Sequence, residues 1–304
     1  MKDTLQKFLF ENLSVRGELV HLDATWQAVL ERHDYPAPVR NILGEMMAAV
    51  SLLMGSLKFN GQMIAQIQGN GPVSLLVVEG SSDKTLRGMA VCHEDKDFSA
   101  ETLTDLFGDA RLVITLEPAQ GERYQGIVEL TGEKLADALT DYLLRSEQLD
   151  TGIWLAADET RVAGLLVQKL PETDKTRSNI IDLQSGDLLV DIDGWNRVMQ
   201  LSSTIKNSEL LELDAKEIIY RLYHEEDIRL FEAELVSFRC SCSRERVANM
   251  LRTLGADEVD SIIHEQNKIE VACEFCNHAY RFDAVDAKQI FASDIAHQTP
   301  KSEQ

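Results

Sequence analysis

Apolar positions recur with three different rhythms along the chain. In the first half, helical and strand-like periods alternate. "DATWQAVLERH" and "APVRNILGEMMAAVSLLMGSL" repeat apolar residues at helical spacing, and Pro36 and Pro38 break the chain between them. "GQMIAQIQG" and "PVSLLVVEG" are strand-like runs around "NGP"; "RLVITLE" and "YQGIVEL" flank the turn-rich "PAQGER". "GIWLAAD" with "VAGLLVQKL" makes a last pair, after a helix at "EKLADALTDYLLRSEQL". Each pair of runs predicts an antiparallel hairpin. Helices set against meandering strands predict an α+β domain.

Past Pro171 the pattern weakens. "PETDKTRSNIIDLQSGD" is polar and without period, which marks a boundary. From there to about Phe231 the pattern is helical but poor in core residues. "DAKEIIYRLYHEED" opens with Asp214 and Glu217, the spacing of a capping box, and sets Ile218, Ile219 and Leu222 on one stripe. That stripe needs a surface to lie on. In the third texture, Val247, Met250, Leu251 and Leu254 recur at i, i+3, i+4 and i+7 and lead to Gly255, the residue type that ends helices. Val259, Ile262 and Ile263 mark a second short helix. "NKIEVACEF" alternates like a strand, "HAYRF" is its pairing partner, and "DAVDAKQIF" closes with a helix. So few apolar residues leave this small module short of a self-sufficient core.

Charge narrows the partners. Thirty Lys and Arg against 51 Asp and Glu give a net charge of −21, which repels nucleic-acid backbones and anionic membranes. The N-terminal "MKDTLQKFLFENLSVRGE" lacks the apolar core and cleavage site of a signal peptide. The longest uncharged run near it, Met46 to Leu57, has 12 residues where a bilayer needs ~20, and suits a buried helix. The expectation is a cytoplasmic protein in a reducing compartment, where five cysteines do not build a permanent disulfide framework.

The cysteines supply the chemistry. Cys240 and Cys242 form "CSC", thirty residues intervene, and Cys273 and Cys276 form "CEFC". Two tight pairs predict a closed, all-sulfur zinc site, one ion per chain, with Zn–S near 2.3 Å. His264 and His278 lie nearby as rival ligands, but with four thiolates available they are read as surface groups or as groups orienting the ligands. Cys92, in "RGMAVCHED", stands alone and is read as a small buried apolar residue. The predicted architecture is therefore α+β in three parts: a mixed sheet-and-helix domain over 1–177, a helical linker over 178–235 and a zinc-binding α+β module over 236–304.

Two CxxC knuckles are the usual zinc-ribbon arrangement, so the CxC needs its own explanation. Zinc-bound thiolates stay nucleophilic toward oxidants. A disulfide within a CxC closes a small strained ring, and strained disulfides are the readily reduced, regulatory kind. Structural zinc contributes ~10–16 kcal/mol of apparent binding free energy, so oxidation of its ligands unfolds the module.

These features resemble the redox-regulated bacterial 33 kDa chaperonin family (heat-shock protein 33). The resemblance runs through "LFENLSVRGELV", "HDYPAPVRNILGE", "GERYQGIVEL", "LLRSEQL", "RLYHEED", "CSCSRER" and "CEFCNHAY", over almost the whole chain. It implies an ATP-independent holdase that prevents aggregation of unfolding proteins under oxidative and heat stress, and that is not an enzyme. It implies an inactive reduced form with Zn²⁺ on Cys240, Cys242, Cys273 and Cys276. The resemblance also implies activation by Cys240–Cys242 and Cys273–Cys276 disulfides with zinc release. The partners it implies are unfolded or partly unfolded client proteins, a second copy in an oxidised homodimer, and an ATP-dependent foldase that takes clients over. Client-binding positions do not carry over by motif. The exposed-on-release stripe of Ile218, Ile219, Leu222 and Tyr223 is the physical candidate, because exposed apolar patches bind unfolded chains.

Two alternatives make different demands. A zinc-ribbon nucleic-acid binder needs positive charge, yet residues 240–304 hold seven Lys/Arg against eleven Asp/Glu, a net of −4. A dithiol oxidoreductase needs its CxxC at a helix N-terminus, whereas "NHAYRF" follows "CEFC" without a clear helix. Neither accounts for the CxC.

Overall fold

The computed structural model describes residues 3–57, 60–93, 96, 98, 102–130, 133–171 and 193–295. The expected boundary between 177 and 178 lies outside these residues. Contacts divide the chain into two compact units, Met1–Arg239 and Cys240–Gln304.

The first unit is a pair of sheets around a helix. β1 (Thr4–Phe10) and β2 (Val15–Leu22) precede α1 (Ala24–Leu30) and α2 (Ala37–Ser56). β3 (Gly61–Gln68), β4 (Val73–Ser81) and β5 (Thr85–Cys92) follow. α3 (Leu103–Phe107), β6 (Arg111–Pro118), β7 (Tyr124–Glu129), α4 (Leu135–Glu147), β8 (Thr151–Ala157) and β9 (Val162–Lys169) complete the globular part. One sheet has the strand order β1-β2-β9-β8, the other β5-β4-β3-β6-β7. The three expected hairpins form as β3–β4, β6–β7 and β8–β9, all antiparallel.

The run from Met46 to Leu57 lies mostly in α2, apolar all round because its neighbours surround it. Val39, Leu43, Met46, Met47, Val50 and Leu52 are fully buried, in one cluster with Val20, Leu22 and Leu166 of one sheet and Ala65, Ile67 and Leu76 of the other. Pro36 and Pro38 start this helix, where a missing N–H leaves no bond unmade.

Beyond the undescribed segment come α5 (Gly194–Ser202), α6 (Asn207–Glu212) and α7 (Ala215–Tyr223). Their apolar stripes cover the other face of the β1-β2-β9-β8 sheet, joining Phe8, Phe10, Leu19, Leu165 and Val167 in a second cluster. β9 is thus covered on both sides and reads as a nearly continuous apolar run. Gly17 lies opposite Phe8 in the β1–β2 register, and a Cβ there would fall 2.0 Å from the Phe8 ring, so this aromatic position depends on glycine.

The helical expectation fails after Tyr223. Residues 228–238 are extended: β10 (Ile228–Leu230) and β11 (Glu234–Leu235) pair antiparallel with β1, and β12 (Ser237–Phe238) pairs parallel with β5. The physical reason is the edge they meet, since β1 and β5 present unpaired backbone groups that an extended segment satisfies and a helix does not.

Candidate metal centre

The second unit is small. α8 (Arg244–Leu254) and α9 (Ala256–Gln266) meet at Gly255, whose φ of +96° is open to glycine and strained for other residues. β13 (Ile269–Ala272) and β14 (Ala279–Phe282) form an antiparallel ribbon, and α10 (Ala284–Ile295) follows. Leu251, Val259, Ile269, Phe282, Ala287 and Ile290 are its buried core.

Local bonds place both cysteine pairs. "CEFC" is the turn between β13 and β14: the Cys273 N–H donates to His278 O at 3.0 Å, and the Cys276 and Asn277 N–H groups donate to Cys273 O at 3.2 and 2.7 Å. Asn277 completes the turn at φ 55°, a left-handed conformation that asparagine tolerates. "CSC" runs into α8, whose N-cap Ser243 accepts from the Arg246 N–H at 3.2 Å. Arg244 anchors this approach, with its guanidinium 4.2 Å from the Phe282 ring centroid and 2.7 Å from Asp286.

The four sulfurs converge. Cys240 and Cys273 Sγ lie 3.7 Å apart, Cys242 and Cys276 Sγ 3.4 Å, and all four lie within 4.8 Å of one another. Four thiolates around a tetrahedral ion with 2.3 Å bonds sit roughly 3.8 Å apart, so the set fits one soft cation. Its electrostatics point the same way. Burial pushes the Cys273 thiol up, and burial with the neighbouring sulfurs pushes Cys276 up to about 12. Negative charge on this cluster needs a cation to balance it, and a coordinated thiol is deprotonated outright. No two of the five cysteines are joined by a disulfide.

His264 and His278 stay outside the ligand set; both are exposed, and among the described residues the only metal-capable group of this kind is the four cysteines. Sequence reasoning missed Tyr280, whose hydroxyl donates to Cys242 Sγ at 3.1 Å and is thereby held neutral, with its pKa up to about 12. The period-2 alternation of "HAYRF" was the available signal, because it places a residue of β14 toward the knuckle. The CxxC sits between two strands and not at a helix start, which removes the geometric basis of a thioredoxin-like dithiol.

The other predicted site residues lie elsewhere. Ile218, Ile219, Leu222 and Tyr223 are all buried, on α7, which begins with the expected Asp214–Glu217 capping box. Tyr223 packs edge-on to Phe10 at 5.1 Å and hydrogen-bonds Ser202 Oγ at 2.6 Å. Cys92 is half-buried at the end of β5 against the main core. No helix among the described residues is long and apolar enough to cross a membrane.

Known proteins give this geometry a context. A 33 kDa chaperonin from Shewanella woodyi is 45% identical over 298 residues, covering 98% of this chain and 99% of that protein. One from Methylobacillus flagellatus is 45% identical over 297 residues, covering 97% and 96%. The crystal structure of the 33 kDa chaperonin (heat shock protein 33 homolog) from Thermotoga maritima superposes with a TM-score of 0.80 at 18% identity, over 97% of this chain and 99% of that one, a likeness of fold. Residues 3–283 match the family described as Hsp33 protein. The chain belongs to the Hsp33 family.

Proposed function

We propose that the protein is an ATP-independent chaperone of the holdase type, switched by oxidation of its metal centre. The observation that carries this is the convergence of four sulfurs within 4.8 Å in a unit whose buried core is very small. The cation is zinc, one per chain, on Cys240, Cys242, Cys273 and Cys276. When bound, it holds four thiolates together and supplies the folding free energy that the module's core does not.

The protein's own residues then make the switch. Hydrogen peroxide takes two electrons from each cysteine pair; its O–O bond breaks, two protons are taken up, two waters leave and one S–S bond forms. Cys240 pairs with Cys242 and Cys273 with Cys276, so two peroxides are consumed per chain. A disulfide offers no thiolate, the site loses its ligands, and the module unfolds. The linker over 178–235 then loosens from the β1-β2-β9-β8 sheet and exposes Ile218, Ile219, Leu222 and Tyr223 together with the sheet face under them. Unfolding clients bind this apolar surface. The oxidised protein acts in the cytoplasm as a homodimer, performs no catalysis, and passes clients to an ATP-dependent foldase.

The test is zinc release and thiol counting during peroxide treatment at unfolding temperature, beside light scattering of a denaturing client. Suppression of scattering rises in step with zinc loss and with the disappearance of four thiols. Zinc retained while activity rises overturns the switch. A Cys240→Ser, Cys242→Ser double variant loses most of the activation; wild-type behaviour removes the CxC from the mechanism.

A further inference from the structure

The extended segment 227–239 follows the linker helices and ends one residue before the first sulfur ligand. It crosses from one sheet to the other as a strap. Its main chain makes a continuous series of bonds to sheet edges. Glu11 N–H donates to Asp227 O at 2.9 Å, Phe231 N–H to Lys7 O at 3.0 Å, and Val236 N–H to Asp3 O at 3.1 Å. On the second sheet, Ser237 N–H donates to Lys84 O at 3.1 Å and Arg239 N–H to Leu86 O at 3.0 Å. Side chains contribute unevenly: Leu230, Phe231 and Leu235 are 38%, 47% and 69% exposed, while Arg229 pairs with Glu11 at 2.6 Å and Arg32 lies 4.5 Å from the Phe238 ring centroid. Val236 is sunk in the main core with Phe238 packed against it, and Glu234 is pinned between Lys7 at 2.7 Å and Lys84 at 3.1 Å.

The strap is a bound extended peptide in all but covalent connection. Three unlike sequences, "IRL", "EL" and "SF", occupy the edges, antiparallel on β1 and parallel on β5. What all three share is an extended backbone whose N–H and C=O groups meet the edge, more than any one side-chain pattern. A holdase needs that tolerance, because its clients share no sequence. β1 carries the longer strap pairing, at Thr4, Leu5 and Phe8 to Phe10 against Thr85 and Leu86 of β5, and its Phe8 and Phe10 belong to the apolar face that the linker helices cover. An added strand there lies beside that face.

We propose that the outer edge of β1, continued by Thr85 and Leu86 of β5, is a docking site for extended segments of unfolded polypeptide. The strap 227–239 is its built-in occupant. Unfolding of the module that starts at Cys240 frees the strap from its C-terminal end, and a client segment replaces it by strand addition. This inference rests on the chaperone function proposed above and adds the mode of client recognition to it. The edge, once uncovered, is a ready template for pairing with another chain.

Hydrogen exchange on the full-length oxidised protein tests it, with a reduced and carboxymethylated globular protein as the permanently unfolded probe. Light scattering of a separate aggregating client is measured on the same preparation. Oxidation speeds exchange across β1 and at the Glu11 amide, and the probe slows it again about tenfold, as expected for amides re-entering a ladder. A synthetic peptide of sequence 227–239 competes with the probe, and the same peptide with alternate amides N-methylated does not. Scattering suppressed while β1 stays unprotected by the probe overturns the edge site and leaves the chaperone function standing. Protection of β1 that rises with protein concentration in the absence of probe assigns the edge to a second copy, and also overturns it. No suppression of scattering removes the chaperone function itself, and the inference with it.

Discussion

The core around α2 and the core of the cysteine module use the same residue types on very different scales. The first encloses a 20-residue helix between two sheets and fully buries Trp26, Leu43, Met46, Met47 and Phe107. The second closes over Leu251, Val259, Ile269, Phe282, Ala287 and Ile290, with Met250 and Leu254 left 44% and 52% exposed. Burial of apolar surface stabilises by about 25 cal/mol per Å², so the first core contributes far more to its unit than the second does to its own. On the proposed reading, a unit with so small a core lets a bound ion decide whether it is folded. That is what a switch requires.

Removing the metal gives the largest contrast. A strong chelator under reducing conditions deprives the module of ~10–16 kcal/mol of apparent binding free energy. Circular dichroism and NMR then show α8, α9 and α10 lost while the sheets of the first unit persist; a module that stays folded without metal breaks the comparison. Next in size is Leu43→Ala, at a fully buried α2 position. It costs about 2–5 kcal/mol, lowers the melting of the first unit and leaves metal-loaded module melting unchanged in calorimetry. A common shift of both transitions means the two units do not unfold independently.

Glu18 sharpens the picture of the large core, because it is a flaw within it. This glutamate is 2% exposed, and its Oε2 has no hydrogen-bond partner among the described residues. Burial, opposed by Lys7, Arg16 and Lys84, pushes its carboxyl from 4.5 up to about 7. Below pH 4.5 the group is protonated in both folded and unfolded chains and contributes no pH dependence; between 4.5 and about 7 only the folded chain keeps the proton. Stability therefore falls as pH rises through this window, and above it the buried charge is fully felt. Glu18→Gln flattens that slope and stabilises the first unit at pH 8 by on the order of a few kcal/mol, read by urea denaturation at several pH values. An unchanged slope assigns the titration to another group.

The smallest effect is at the metal centre. Tyr280→Phe removes the hydroxyl that donates to Cys242 Sγ. A thiolate without that donor is the better nucleophile, so zinc release under peroxide speeds up a few-fold, followed with a metallochromic dye. A slower release contradicts this assignment.

Much of this was legible in the sequence, for definable reasons. α2, α4 and α7 were readable because each places its apolar residues on a helical period, and α7 adds its own capping box. The metal centre was readable because ligand spacing is local: a CxxC turn positions its two sulfurs within one knuckle wherever the rest of the chain lies. β1 and β2 were not, since Gln6, Glu18 and His21 are buried polar residues that blur the alternation. The strap was not legible either. Its pairing is with edges more than 140 positions earlier in the chain, and main-chain recognition leaves no side-chain signature. Tyr280 went unseen because a phenol aimed at a sulfur looks, in sequence, like any strand tyrosine.

The bond between the Glu11 amide and Asp227 O fixes the near end of the strap at the end of β1. While that bond holds, a strap freed at its far end stays tethered within a dozen residues of its own seat. A short tether of this kind holds a segment at an effective concentration on the order of millimolar. On the proposed docking, a client on that edge competes against a resident that never diffuses away, so retention lasts only as long as the strap is kept from returning. On the same proposal, refolding of the module restores the competitor and so favours release to the foldase, and the client's residence time becomes a property of the protein's own chain.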